Sequence, residues 1–305
     1  MKRLRVGYLP TLYHTAYVLK SGGWVEKQLG MEVEWRLYPT GPAMTKAFEE
    51  NHIDIGYIGL PPAMIAIDRG VPIVCVGGGH VEGTVMIAPE RFKTLGELGD
   101  TRRVLEQFKG RKIGTPSRGS IHDVIIRDLL DKVGLAGITV ENYEWAEFLP
   151  EALEKGEIDG AVGTPSLFVA ASEQLSVKIV LPPDRLWPYN PSYGILVRRE
   201  LEEHPQLIKG FLEAHKRACT LIREKPAEAA KLVTGEISGL SLDFVVKTYT
   251  VSPKYCALLS REYIDSTIKF VPVLRKLGYL QKTLEEKDIF EASYVEEIHP
   301  EAPHY

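Results

Sequence analysis

Short β-rich runs alternate with helical segments from residue 4 to about residue 197, a rhythm that builds parallel sheets with helices packed on their faces. In the first part, Leu4–Tyr8, Val33–Leu37, Ile53–Ile58 and Ile73–Val76 read as strands. Helices are predicted between them at Ala16–Leu29, Met44–Glu50 and Pro62–Ile67. Val85–Ala88 adds a strand, and Pro89 to Gly110 is a charged, turn-rich stretch. The rhythm then resumes with strands at Lys112–Gly114, Thr139–Tyr143, Gly160–Val162, Ile179–Leu181 and Ile195–Val197. Its helices are Ser120–Val133, Leu149–Lys155 and Leu167–Glu173. Beyond Leu201 the pattern is helical, at Gln206–Glu224, Pro226–Val233, Leu242–Val251, Glu262–Leu277 and Asp288–Val295.

An internal repeat runs through this pattern. Ile53-Asp54-Ile55-Gly56-Tyr57-Ile58-Gly59-Leu60-Pro61 matches Ile158-Asp159-Gly160-Ala161-Val162-Gly163-Thr164-Pro165 with one gap. Each copy follows a charged helix end and precedes an Ala-containing helix. Two α/β lobes with the same strand–turn–helix unit at the same point account for it, coincidence among common loop residues being the alternative.

Composition removes several function classes. A net charge of −4 and a pI near 6.1 argue against nucleic acid or an anionic membrane as the main partner. No apolar run is long enough to span a bilayer. Cys75, Cys219 and Cys256 are too few and too scattered for a disulfide framework or a zinc knuckle. Eight Asn and Gln stand against 37 basic and 41 acidic residues, the bias of heat-adapted proteins, and point to a thermophilic source. Lys2-Arg3 leads straight into a short strand ending at Pro10, not into a secretory h-region. The expected location is therefore extracytoplasmic if a leader was removed, and cytoplasmic if the chain is natively leaderless.

In open α/β sheets, ligands bind at the carboxyl ends of strands, where helix N-termini present backbone N–H groups. Five loops answer that rule. They contribute Pro10, Thr11, Tyr13 and His14; Thr40 and Gly41; Gly59, Leu60 and Pro61; Thr115, Ser117, Arg118, Gly119 and Ser120; and Gly163 and Thr164. A sixth candidate loop, Gly77–Thr84, contributes His80. A Pro- and aromatic-rich loop from Pro182 to Tyr193 contributes Trp187 and Tyr189, either as ligand contacts or as packing of a connection. Within Thr115–Ser120, Ser120 is a predicted N-cap and Gly119 allows close backbone approach to a ligand. Arg118 is either a bidentate anion contact or an exposed turn residue.

The enzyme motifs are missing. There is no P-loop, no GxGxxG after a strand, and no Gly-x-Ser-x-Gly elbow. His14, His80 and His122 fall in or beside candidate loops, as a general base or metal ligand would. No metal-ligand spacing accompanies them, and the Asp123 beside His122 does not share its helix face. Neither a metal nor a cofactor is expected. Cys75, Tyr263 and Phe270 are expected in the core.

Three segments carry a resemblance to a known family. Val6-Gly7-Tyr8-Leu9-Pro10, Ile53-Asp54-Ile55-Gly56…Gly59-Leu60-Pro61-Pro62-Ala63 and Gly110-Arg111-Lys112-Ile113-Gly114-Thr115-Pro116…Gly119-Ser120 resemble type II periplasmic-binding-protein-like chains. The branch they resemble binds nitrate, aliphatic sulfonates, taurine and thiamine-pyrimidine precursors for ABC importers. The resemblance spans about residues 4 to 200. It implies an α/β fold of two Rossmann-like lobes, residues 1–87 plus 195–305 and residues 88–194, joined by a two-strand hinge at Val85–Ala88 and Ile195–Val197. It further implies a monomeric receptor that closes on a small polar or anionic ligand and hands it to a permease and ATPase. The same fold serves cytoplasmic enzymes that resemble pyrimidine-precursor synthases or chorismate dehydratases, so an enzyme remains the alternative. The synthase reading wants a Cys-rich run absent here, and the dehydratase reading lacks its family's opening, although His14 and Glu82 could handle protons.

Overall fold

The computed structural model describes residues 3–305. Its ten strands are β1 (Arg3–Tyr8), β2 (Glu32–Leu37), β3 (Ile55–Ile58), β4 (Ile73–Val81), β5 (Val85–Pro89), β6 (Lys112–Pro116), β7 (Thr139–Tyr143), β8 (Gly160–Gly163), β9 (Val177–Leu181) and β10 (Pro191–Arg198). They form two five-stranded sheets, ordered β2-β1-β3-β10-β4 and β7-β6-β8-β5-β9. In each sheet a single strand, β10 or β5, runs antiparallel to both of its neighbours. That strand is the first one formed after the chain has crossed from the other sheet.

The repeat read from the sequence is physical. Asp54 stands just before β3, and its carboxylate takes the backbone N–H of Arg5 at 2.8 Å and the Arg5 Nε–H at 3.0 Å. Asp159 stands just before β8 and takes the Lys112 N–H at 3.3 Å and an Arg111 guanidinium N–H at 2.9 Å. In return Asp54 N–H bonds Arg5 O and Asp159 N–H bonds Lys112 O. The same clasp therefore joins β1 to β3 in one sheet and β6 to β8 in the other.

The two crossings are Glu82-Gly83-Thr84, from β4 to β5, and residues 182–190, from β9 to β10. They lie side by side, with Glu82 N–H donating to Asn190 O at 2.9 Å. Each carries a non-glycine residue in the left-handed region, Glu82 at φ 63° and Tyr189 at φ 54°. Such backbone costs on the order of 1 kcal/mol apiece and persists only where neighbours hold it. Here the Glu82 carboxylate takes the Tyr189 N–H at 3.1 Å and pairs with Lys254 at 2.8 Å. The expected division at 87/88 falls inside β5, and that at 194/195 inside β10. Met1 and Lys2, counted in the expected first lobe, lie outside the described residues.

Several elements differ from the sequence reading. The expected loop at Gly77–Thr84 is largely strand, because β4 runs on to Val81. Residues 254–258 pair along it, with Gly78 N–H on Ala257 O and Cys256 N–H on Gly79 O. Glycine is required for that approach: a Cβ on Gly78 would lie 2.7 Å from Leu258 O, and one on Gly79 would enter the Tyr193 ring. The helix predicted over Ala16–Leu29 breaks at Gly23, whose φ of 57° is left-handed. The one predicted over Glu262–Leu277 divides at Lys269, where Pro272 cannot donate to Ile268 O. Asp288–Val295 likewise divides into Glu286–Ile289 and Ser293–Ile298, and the turn-rich stretch after β5 holds short helices at Leu95–Leu98 and Thr101–Glu106.

One large core runs from the first sheet into the C-terminal helices and parts of the second sheet. A smaller cluster of Val85, Ile87, Leu149, Ala161 and Leu167 serves the second sheet's other face. Cys75, Tyr263 and Phe270 are buried in the large core. Among the described residues no helix is long and apolar enough to cross a membrane.

Candidate functional site

Five helices begin directly after β1, β2, β3, β6 and β8, at the carboxyl ends of strands from both sheets. They are Thr15–Gly22, Gly41–Glu49, Leu60–Asp68, Ile121–Lys132 and Pro165–Gln174. Their N-cap residues, His14, Thr40, Gly59, Ser120 and Thr164, all line one cavity between the sheets. Three are hydroxyl caps. Thr40 Oγ1, Ser120 Oγ and Thr164 Oγ1 accept from the backbone N–H groups of Ala43, Asp123 and Leu167 at 3.4, 3.3 and 3.4 Å. Prolines occupy the first turn of three of these helices, at Pro42, Pro61, Pro62 and Pro165, so N–H groups such as those of Gly41, Leu60 and Ile121 are what the helix ends present, and five positive helix ends converge on one volume.

Among the described residues, no lysine or arginine lines the cavity. Its imidazoles are uncharged. Burial pushes His122 down to about 4, and pushes His14 well below its ordinary value with help from the neighbouring His80, His122 and His215. Each lining imidazole is tied by Nδ1 to a threonine hydroxyl, His14 to Thr11 at 3.3 Å and His122 to Thr84 at 3.0 Å. Neither Nε2 has a protein partner among the described residues. The site's polar character thus comes from backbone amides, hydroxyls and neutral rings.

A single acid joins the lining. Glu147 lies with Ala146 at the rim, open to solvent along its outer edge, while the surrounding lobes push its carboxyl above the usual range. The cavity offers about 60 Å³, room for a few waters or a small polar group. It adjoins an outer groove of about 440 Å³ that shares Pro10, Ala146, Glu147 and Thr164 and continues past Leu12, Tyr17, Ile237, Leu240 and Phe244. A small inner chamber therefore opens into a wider groove that holds both apolar side chains and the carboxylates of Glu147 and Glu151. An open surface hollow of about 830 Å³ beside Gln28 and Gly210 has no comparable convergence of helix ends.

Beneath the first-sheet half lies an aromatic floor. The His14 ring is 4.0 Å from that of Tyr193, and Tyr13 packs at 4.7 Å on His14 and 4.8 Å on His80. Thr15 N–H donates to Tyr193 Oη at 3.3 Å, Thr15 Oγ1 bonds His215 Nδ1 at 2.8 Å, and His215 Nε2 donates to Gly78 O at 2.7 Å. Burial holds His215 and His80 down to about 4, and both are neutral.

Of the residues singled out from the sequence, Pro10, Thr11, Tyr13, His14, Thr40, Gly41, Gly59, Ser120 and Thr164 line the cavity. Leu60, Pro61, Thr115, Ser117 and Gly163 belong to the same loops but stay behind the lining. Gly119 does not offer its amide: φ is +81° and its N–H is spent on Asp123 Oδ2 at 2.9 Å. Arg118 is exposed and turns outward, its Nε donating to Tyr279 Oη at 3.2 Å. His80 is buried on β4. Its Nδ1 meets Ser192 Oγ at 3.0 Å, and that hydroxyl also accepts the Gly83 N–H at 2.6 Å, so His80 touches the cavity only through Ser192. Trp187 is stacked on Phe270 at 3.8 Å and donates to Ser266 Oγ at 3.0 Å. Tyr189 packs under Lys254 and beside Tyr305. Trp187 fixes the second crossing to the C-terminal helices and Tyr189 fixes it to Lys254 and the chain's last residue, both away from the cavity.

His122, noted from the sequence only as lying beside a candidate loop, also lines the cavity, and lining residues that the sequence reading left out include Ser192, Ala146 and Glu147. The last two follow the carboxyl end of β7, so the rule that selected the other loops would have reached them. Ser192 gave no such signal, because it starts a strand.

The NMT1-like family profile matches residues 1–235. The chain belongs to that family. A protein of Brucella abortus (strain 2308), named as a binding protein, is 24% identical over 310 residues, 95% of this chain and 91% of that one. The taurine-binding periplasmic protein of Escherichia coli (strain K12) is 23% identical over 215 residues, 65% of this chain and 60% of its own. The alkanesulfonate-binding protein SsuA of Xanthomonas axonopodis pv. citri, solved bound to MOPS, superposes with a TM-score of 0.80 at 20% identity. The match covers 96% of this chain and 99% of that one, and so shows the same two-lobed fold.

Proposed function

We propose that this protein is a solute-binding receptor that captures a small polar or anionic molecule between its lobes and delivers it to an ABC importer's permease and ATPase. The observation that carries the reading is the meeting of five helix N-caps from both sheets in a cavity with no fixed cation. An oxyanion, such as a sulfonate or nitrate, would accept from backbone N–H groups and from the Nε2–H of His14 and His122. The wider groove outside, where Leu12, Tyr17, Leu240 and Phe244 stand, leaves room for the rest of a ligand whose polar head enters first. The names of the taurine- and alkanesulfonate-binding relatives support that ligand class, and the periplasmic relative supports capture outside the cytoplasm.

Two bodies would move, one on each sheet, dividing at Glu82–Thr84 and residues 182–190. Closure then exchanges cleft water for hydrogen bonds from both sides. The test is a thermal-shift series with taurine, longer alkanesulfonates, nitrate and pyrimidines, followed by mass analysis of the recovered ligand. A binder at 100 times its Kd raises stability by about 2.7 kcal/mol. A stabilising ligand recovered unchanged, with a smaller radius of gyration in solution scattering, supports the receptor. A ligand recovered with altered mass would overturn it in favour of an enzyme.

A further inference from the structure

Outside the cavity, the fold brings together three residues that sequence spacing left apart. Cys256 lies in the segment paired with β4, its N–H on Gly79 O. His299 closes the Ser293–Ile298 helix, and His304 follows in the tail His299-Pro300-Glu301-Ala302-Pro303-His304-Tyr305. Cys256 Sγ is 3.4 Å from His299 Nε2 and 3.4 Å from His304 Nδ1, and the donor atoms all lie within 4.8 Å of one another.

That spacing is the edge of a coordination tetrahedron. Metal–sulfur and metal–nitrogen bonds of about 2.3 and 2.05 Å at a tetrahedral angle put sulfur and nitrogen about 3.6 Å apart. The surroundings fit as well. The other nitrogen of His299, Nδ1, is buried without a hydrogen-bond partner and lies 3.1 Å from Glu301 Oε2, so a turn of that carboxylate would place it behind the imidazole, the arrangement that orients a ligating ring. Glu301 is held in turn by Lys216 Nζ at 2.9 Å, and Tyr305 Oη anchors the tail to Ser260 Oγ at 3.0 Å. One thiolate with two imidazoles is a donor set for zinc-like ions rather than for magnesium or calcium.

We propose that Cys256, His299 and His304 bind one Zn2+-type ion, which clasps the C-terminal tail to the segment roofing β4. Loading replaces the Sγ–H proton of Cys256 by the metal and releases that proton to water. A fourth position remains for water. Cys256 and His299 are buried and His304 is exposed, so the ion enters from the tail side. None of the three residues lines the cavity, so the clasp is separate from the solute site.

The test uses the untagged full chain, stripped by chelator and titrated with Co2+, then with competing Zn2+. The expected result is one ion per chain, a thiolate-to-cobalt charge-transfer band with intense tetrahedral visible bands, and a melting temperature several degrees higher with saturating Zn2+. Cys256→Ser should abolish the charge-transfer band. His304→Ala should weaken Zn2+ binding about tenfold or more while leaving the metal-free chain's melting temperature unchanged. A cobalt spectrum without a charge-transfer band, or unchanged Zn2+ affinity in His304→Ala, overturns the proposal. The second criterion holds even if Cys256→Ser does not fold.

Discussion

The two sheets share a topology, a strand clasp and a role at the cavity, yet what lies beneath the cavity differs between them. Under the first sheet's half the floor is neutral and aromatic: Tyr13, His14, Tyr57, His80 and Tyr193, joined to His215 through Thr15. Behind the second half's Ser120 cap lies an ionic knot. The buried Asp123 carboxylate accepts from Gly119 N–H at 2.9 Å, Arg127 Nε at 2.7 Å and Asn142 Nδ2 at 2.9 Å, with Tyr279 Oη at 3.3 Å. Packing and neutral hydrogen bonds fix rings that already fill a large core. The second sheet has a smaller core of its own, and charged hydrogen bonds fix its site loop instead. The same backbone plan thus tolerates two different ways of holding a ligand surface still.

Acid should separate the two halves most strongly. His14, His80 and His215 belong to the aromatic side, and His122 alone to the other. Each is depressed in the fold from an unfolded value near 6.5, to about 4 for His80, His122 and His215. Above pH 6.5 both states bind no proton at these rings and the fold bears no cost. As pH falls through 6.5 towards 4 the unfolded chain takes up protons that the fold refuses. Each ring then withdraws up to about 1.4 kcal/mol of stability per pH unit. Urea titrations between pH 7 and 5 should show stability falling more steeply than one proton allows. A flat profile would mean that the buried imidazoles take up protons in the fold as readily as in the unfolded chain, and that the floor is not held neutral.

Removing the centre of the ionic knot comes next. Asp123→Ala leaves Arg127, Asn142 and the Gly119 N–H without their shared acceptor, and should cost about 3 kcal/mol. Tyr193→Phe, the corresponding change in the floor, removes only the contact of Tyr193 Oη with Thr15 and should cost about 1 kcal/mol. Denaturant midpoints for both variants measure the ratio. Equal losses would erase the distinction between the two halves.

Much of this was legible in the chain. The Asp54 and Asp159 repeat announced two homologous halves, and the N-caps Thr40, Ser120 and Thr164 are visible as hydroxyl residues between a strand and an apolar helix. What could not be read is side-chain direction and long-range meeting. Arg118 and Trp187 have the chemistry of ligand contacts, but Tyr279 and Phe270, more than eighty residues further on, draw them outward. Gly77-Gly78-Gly79-His80 looks like a loop because its glycines serve a close backbone approach from residues 254–258, a partner no local pattern reveals. Cys256 with His299 and His304 is hidden for the same reason.

The smallest effects bear on how the second half meets a ligand. Ser120→Ala deletes a helix cap and should cost about 1 kcal/mol of stability. If the Ile121–Lys132 helix end binds the solute, the same change should also weaken affinity several-fold, because the loop that Asp123 steadies loses its last anchor before the helix. Arg118→Ala is the control. Its guanidinium is fully solvated and bonded to Tyr279 on the outside, so neither melting temperature nor solute affinity should move. Titration calorimetry on the pair reads the outcome directly. Loss of affinity in Arg118→Ala but not in Ser120→Ala would mean that the arginine swings inward on closure. The second lobe would then grip its ligand with a charge, and the cavity would not be the neutral chamber that its two imidazoles and five helix ends describe.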